Sequence, residues 1–305
     1  MSDQRTSGTR TPASPEQRLD VIHDIGYRHY EGPRLGVGYA TRSLYTSSLR
    51  GAFGLGRSGK SKILPMAMAV IMAVPALIIV AVSIYVKMTK LPVDYPQYLT
   101  NLQFVTAVFA AAQAPVLLSR DLRFMTVPLY FSRPLRSSDY VRAKFAAMVS
   151  AVFILTMLPM LIMWIGSMLG SMDFGYNTRH FAFGVVAAAF YSLVYSGLAL
   201  LIASLTPRRG FGVAAIIALF MVSAGIAGAL RGVMHVTGHQ ANAFWTSMLN
   251  PGFLIDSTTS WMFGLSTRGE VASTPTTLGG IVFLLEIAVL AAGTFALLVR
   301  RYRKI

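Results

Sequence analysis

The 305-residue chain is 54% hydrophobic and only 13% charged, with a mean hydropathy of +0.56, a balance foreign to soluble globular domains. It has no cysteine, which excludes disulfide frameworks, thiolate chemistry and Cys-ligated metals. The net charge of +15 sits beside apolar runs, which assigns it to lipid headgroups and topology and away from nucleic acid.

Residues 1–18 are Ser/Thr/Pro-rich without apolar period and are expected to be a disordered tail. No apolar stretch of signal-peptide type precedes the first long run, so that run is expected to act as its own insertion signal. Residues 19–62 read as a cytoplasmic N-terminal segment. Within it Val37, Ala40, Leu44, Tyr45, Leu49, Ala52 and Phe53 fall on one helical stripe, with Arg42, Thr46 and Arg50 opposite. With no soluble core nearby to receive the stripe, an amphipathic helix at the membrane interface is expected over 36–53. Residues 54–61, Gly-Leu-Gly-Arg-Ser-Gly-Lys-Ser, match a phosphate-loop pattern. Such a loop needs a buried strand before it and an α/β core around it; here a helix precedes and a span follows, so a hinge is the better reading.

Six apolar runs, near 63–86, 98–119, 145–169, 181–205, 211–232 and 279–299, make residues 63–305 a six-span domain. Each can cross about 30 Å of hydrocarbon at about 1.5 Å per residue. With the N-terminus inside, the inner segments hold 10, 6, 2 and 4 of the 27 Lys and Arg, and only Lys87, Lys90, Arg179, Arg231 and Arg268 lie outside. The positive-inside rule then expects both termini in the cytoplasm of a multi-pass cell-membrane protein. The second run is the weakest, carrying Asn101, Gln103, Gln113 and Pro115. Losing it would send the basic loop 120–144 outside, so it is kept, and Gln103 and Gln113 become candidates for pathway lining or helix packing. Gly225, Gly228 and Gly232 suggest a close-packing face on the fifth run.

Beyond it, residues 241–265 mix Trp245, Phe253, Trp261 and Phe263 around Asn250-Pro251-Gly252. They read as two short external re-entrant helices before the last span. His235 and His239 are four apart but lack the glutamate and third ligand of a zinc helix, so no metal site is expected. Glu286 is the lone carboxylate within the six runs, a pathway or packing candidate because an acid at that depth is costly unless paired or hydrated. The fold class is thus an all-α membrane protein with an N-terminal interfacial helix.

The inner loop 120–144 is the most specific stretch. It sets Phe124, Leu129, Tyr130 and Phe131 among charges, where a short helix would offer an aromatic knob to a cytoplasmic protein. Its order resembles the E-x-x-x-G-T-x-x-x-L-L-S-R-P pattern of ABC-2 type transporter permeases, the membrane subunits of ABC exporters. Asp121 stands at the acidic position, Thr126 at the threonine and Ser132-Arg133-Pro134 at the S-R-P, while Met125 replaces glycine and Pro128 takes a place often charged. By architecture the resemblance covers nearly the whole chain, and by motif about 20 residues.

It implies that the loop is a coupling helix entering a cleft of a separate ATPase subunit, with Asp121, Phe124, Thr126, Leu129, Tyr130, Phe131, Ser132, Arg133 and Pro134 as coupling residues. It further implies export, pairing with a second permease copy, and ATP with Mg²⁺ on the ATPase, leaving no cofactor and no catalysis in this chain. The cargo is expected to be hydrophobic or amphipathic. Two other readings stay open: a gradient-driven carrier working alone, which the lack of paired intramembrane charges disfavours, and a non-transporting subunit that passes mechanical work to an outside protein.

Overall fold

The structure, a computed structural model, describes residue 32 and residues 35–56, 59–126, 130, 135–206, 208–265 and 275–304, apart from the Arg120 side chain. The expected tail at 1–18, and with it Leu129, Phe131, Ser132, Arg133 and Pro134, lies outside the described residues. The chain divides into two units, residues 1–34 and 35–305, and every helix named below belongs to the second.

The described residues are all-helical. Five helices are long and apolar enough to cross a membrane: α2 (Lys60–Tyr85), α6 (Ser137–Leu169), α7 (Phe174–Leu205), α8 (Arg209–Val236) and α10 (Thr277–Tyr302). A bent pair gives the sixth apolar stretch: α3 (Tyr95–Asn101) meets α4 (Gln103–Leu117) and the short α5 (Ser119–Arg123) at an angle of 62°. The break falls at Leu102, whose φ of −106° and ψ of 17° leave the helical region. This is the polar, Pro-containing run, where the weak hydropathy has a structural counterpart.

The helix ends follow from local chemistry. Asp173 caps α7 by accepting from the Tyr176 amide at 2.9 Å, and Thr276 caps α10 through the Gly279 amide at 3.2 Å. Arg300 and Arg301 in the last turn of α10 suit its negative end.

Helices α6 and α7 form the centre. Of the apolar stretch of α7, 56% is buried, against 17% for α8 and 22% for both α2 and α10, whose outer faces remain free for lipid. Small residues set the crossings: a Cβ on Gly197 of α7 would collide with the Thr294 side chain, so α7 and α10 approach only because that position is glycine.

Helix α1 (Val37–Ala52) answers the expected 36–53 stripe, but the stripe does not lack a partner. Leu44 and Ala52 are buried against the bundle, Ala40, Tyr45, Leu49 and Phe53 pack beside them, and the Tyr45 hydroxyl meets Ser150 of α6 at 2.9 Å. The span domain itself supplies the core that the sequence did not reveal. Of the 54–61 stretch, Gly54 and Gly56 follow α1 at φ of 69° and 80° and Lys60 already opens α2, so a helix and not a strand leads into it.

Beyond α8 the chain makes a 3₁₀ helix, Gln240–Leu249, and then α9 (Pro251–Phe263), the two short helices expected around Asn250. Asn250 Oδ1 accepts from the Phe253 amide at 3.0 Å, Pro251 opens the helix, and Gly264 closes it at φ of 63°.

Candidate functional site

The expected coupling loop begins at the end of α5. There the Met125 amide donates to the Leu122 carbonyl at 3.3 Å and the Thr126 amide to the Asp121 carbonyl at 3.0 Å. This pair of bonds is the Schellman arrangement, which requires the residue after the cap in the left-handed region. Met125 occupies it at φ of 52°, a conformation that favours glycine. The Thr126 hydroxyl adds a second bond to the Asp121 carbonyl at 3.2 Å.

The Asp121 side chain ties this capped turn to α6. Its Oδ2 accepts from the Tyr140 hydroxyl at 2.7 Å and faces Lys144 Nζ at 2.9 Å, with both charged side chains largely buried. Lys144 Nζ also lies 5.5 Å from the centre of the Tyr140 ring. The Tyr140 ring in turn packs against Tyr130 at 5.5 Å and against Tyr302, from the last turn of α10, at 5.3 Å. Burial, with the Asp121 charge adding to it, pushes the Tyr130 phenol above its ordinary value, so it stays protonated at neutral pH. An open cavity of about 600 Å³ lies between this turn and α1, with Ser47, Ser48, Asp121, Thr126, Tyr130 and Lys144 on its walls.

The structure therefore brings Asp121, Thr126 and Tyr130 together, while Leu129 and Phe131 lie outside the described residues. Tyr130 is half-buried against Tyr140, and among the described residues of the loop Phe124, 62% exposed, and Met125, 76% exposed, are large apolar side chains on display. A tyrosine next to a packed tyrosine gains apolar contact that solvent does not offer, and the partner, Tyr140, is too distant in sequence to foresee.

The pathway candidates are scattered. Gln113 is buried in α4. Glu286 lies half-buried on α10, and its Oε2 is enclosed without a hydrogen-bond partner among the described residues. Gln103 belongs to a polar cluster that the sequence reading missed. Its Oε1 accepts from Tyr195 at 3.4 Å and sits where a Cβ on Gly252 would be. Tyr191 donates to the Thr100 hydroxyl at 3.2 Å and the Gly252 carbonyl at 3.3 Å, and Thr100 donates to Asp256 Oδ1 at 3.0 Å.

Close by, Arg231 donates to Ser247 at 2.7 Å and lies over the Phe253 ring at 4.8 Å, while Ser247 meets Ser257 at 2.8 Å. Asn250 Nδ2 reaches the Ser223 hydroxyl at 3.0 Å. Arg231 reads in sequence as one of the few outer charges; the only clue to this polar cluster is the run of Ser and Thr around Asp256.

Comparison with protein-family models and with curated proteins finds no match.

Proposed function

We propose that this chain is the permease subunit of an ABC-2 type exporter, set in the cell membrane with both termini in the cytoplasm. The observation that carries the reading is the capped turn at Asp121–Thr126. In the pattern that the loop resembles, glycine precedes threonine, and here Met125 adopts the left-handed conformation that explains a glycine at that place. The acidic position also acts physically, because Asp121 clamps the turn to Tyr140 and Lys144 on a long central helix, and Tyr140 touches Tyr302 on the last one. A push on the turn is thus delivered to two spans at once.

In this reading two copies of the chain enclose a pathway for a hydrophobic or amphipathic cargo, and a separate ATPase binds ATP and Mg²⁺ beneath them. Closure of the ATPase moves the turn, and the turn moves α6 and α10. Substrate and nucleotide are linked only through that contact.

A mild-detergent pull-down of the tagged chain from its native membranes, with partners identified by mass spectrometry, tests this. A near-stoichiometric soluble ATPase is expected, lost in Phe124→Asp and in the Tyr130→Ala/Phe131→Ala double variant while the variant chains stay monodisperse. Arrival of the chain alone, with no nucleotide-hydrolysing companion, would overturn the assignment in favour of a gradient-driven carrier.

A further inference from the structure

The last turn of α10 carries Arg300 and Arg301, Arg303 and Lys304 follow directly after it, and none of the four has an acid within ion-pair distance among the described residues. Tyr302, 1% exposed, points into the bundle and fixes the rotation of the helix end. The basic side chains are thereby distributed over two grooves, one on each side of α10. The groove toward α7, about 560 Å³, has Leu201, Leu205 and Leu297 as its floor, with Arg300, Arg301 and Lys304 above. The groove toward α6, about 640 Å³, has Phe295, Ala296 and Val299 below, with Arg142, Arg303 and again Arg300 and Lys304 at its rim. Arg300 and Lys304, one turn apart, stand on the ridge between the two. Arg301 Nε is enclosed and makes no hydrogen bond to a described residue.

We propose that these grooves form a binding site for an anionic diacyl phospholipid, its acyl chains along the apolar floors and its phosphate between Arg300, Arg301 and Lys304. Helix-end electrostatics accounts for basic residues in a last turn but not for apolar channels leading to them. A soluble phosphate or nucleotide would leave those floors bare. A zwitterionic lipid would bring its own cation against several unpaired ones. An anionic lipid satisfies both halves of each groove, as basic pockets between spans do elsewhere. The inference rests on the membrane placement of the long helices and is independent of any ATPase partner.

Native mass spectrometry of the purified full chain, with phosphatidylglycerol and phosphatidylcholine of identical acyl chains in equal amounts, reads the outcome. Phosphatidylglycerol is expected to be retained preferentially. Arg300→Gln/Arg301→Gln/Lys304→Gln is expected to weaken its binding on the order of 100-fold, each basic group near an anionic headgroup contributing roughly fivefold. Arg42→Gln/Arg50→Gln/Lys60→Gln removes the same charge from α1 and α2 and is expected to leave binding unchanged. Equal retention of the two lipids, or equal loss in both variants, would overturn the site. Should the first variant not fold, the wild-type chain can be irradiated with phosphatidylglycerol carrying a photoreactive acyl chain. Adducts on peptides covering 201–205 or 295–304 support the site, and adducts confined to other spans refute it.

Discussion

The Asp121–Lys144 pair fastens the candidate site to α6, and its burial sets the size of its effect. Lys144→Met leaves the Asp121 carboxylate with Tyr140 as its hydrogen-bond donor in a setting only 16% exposed. Removing one partner of a buried pair costs about 3 kcal/mol, while replacing both by neutral groups of similar volume costs far less. Lys144→Met should therefore lower the unfolding free energy in detergent by about 3 kcal/mol, and Asp121→Asn/Lys144→Met should recover most of it. A single-variant loss below about 1 kcal/mol would mean that the pair behaves as a solvated surface contact. Met125 yields a prediction of opposite sign. Glycine in a regular helix costs about 1 kcal/mol, but at φ of 52° it relieves strain of similar size. Met125→Gly should be neutral or stabilising, up to about 1 kcal/mol, where Arg123→Gly two residues earlier destabilises; unfolding curves of the two variants decide it.

Among the elements, the pair formed by the 3₁₀ helix and α9 is held by both apolar and polar contacts, with Phe244, Leu254 and Ile255 buried beside the hydrogen-bonded cluster. Gly252 lets α9 press onto Gln103 at the start of α4, where an added Cβ would meet Gln103 Oε1 and come within 3.0 Å of the Tyr195 hydroxyl. Gly252→Ala should cost about 2 kcal/mol by overpacking, and shortening Gln103 to alanine in the same chain should restore part of it. Additive losses would show that the two residues do not share the space. This element also shows what a sequence can and cannot convey. Asn250-Pro251-Gly252 announces a capped helix start by its own chemistry, so the turn and both short helices were legible, as were the long apolar runs. The cluster of Arg231 and Asp256 forms only where α3, α7 and α8 meet the 3₁₀ helix and α9, and beyond the run of Ser and Thr around Asp256 nothing local encodes it. The stripe on α1 was legible as a stripe, yet its partner, α6, begins about 85 residues downstream. Tyr130 reads as an aromatic in a charged loop, but its packing is set by Tyr140 on another helix.

At the scale of the whole molecule the topology turns on whether the bent pair α3–α4 crosses or returns, because it alone decides whether the ends share a side. Five crossings put residues 42 and 304 on opposite faces; six put them together. Charge favours six: if the pair returned, the six basic residues of 120–144 would move to the side of Lys87 and Lys90, diluting the asymmetry of the other loops. Packing favours it as well, since α4 is buried for most of its length between α7 and α8, and Tyr98 donates from α3 to the Met72 carbonyl midway along α2. The absence of native cysteine makes a direct test available. Single cysteines at Arg42, His239 and Lys304, all exposed, can be treated in intact cells with a membrane-impermeant maleimide. Six crossings with the expected orientation require that only His239→Cys reacts until the cells are permeabilised, after which all three do. Reaction of Lys304→Cys alone in intact cells would mean that the pair is re-entrant and that the chain makes five crossings from a cytoplasmic residue 42. The loop after α5 would then face away from the cytoplasm and could not meet a cytoplasmic ATPase. Reaction of Arg42→Cys together with His239→Cys would also mean five crossings, with that loop inside but residue 42 outside. One labelling pattern thus tests the topology and, with it, the geometric precondition of the transport reading.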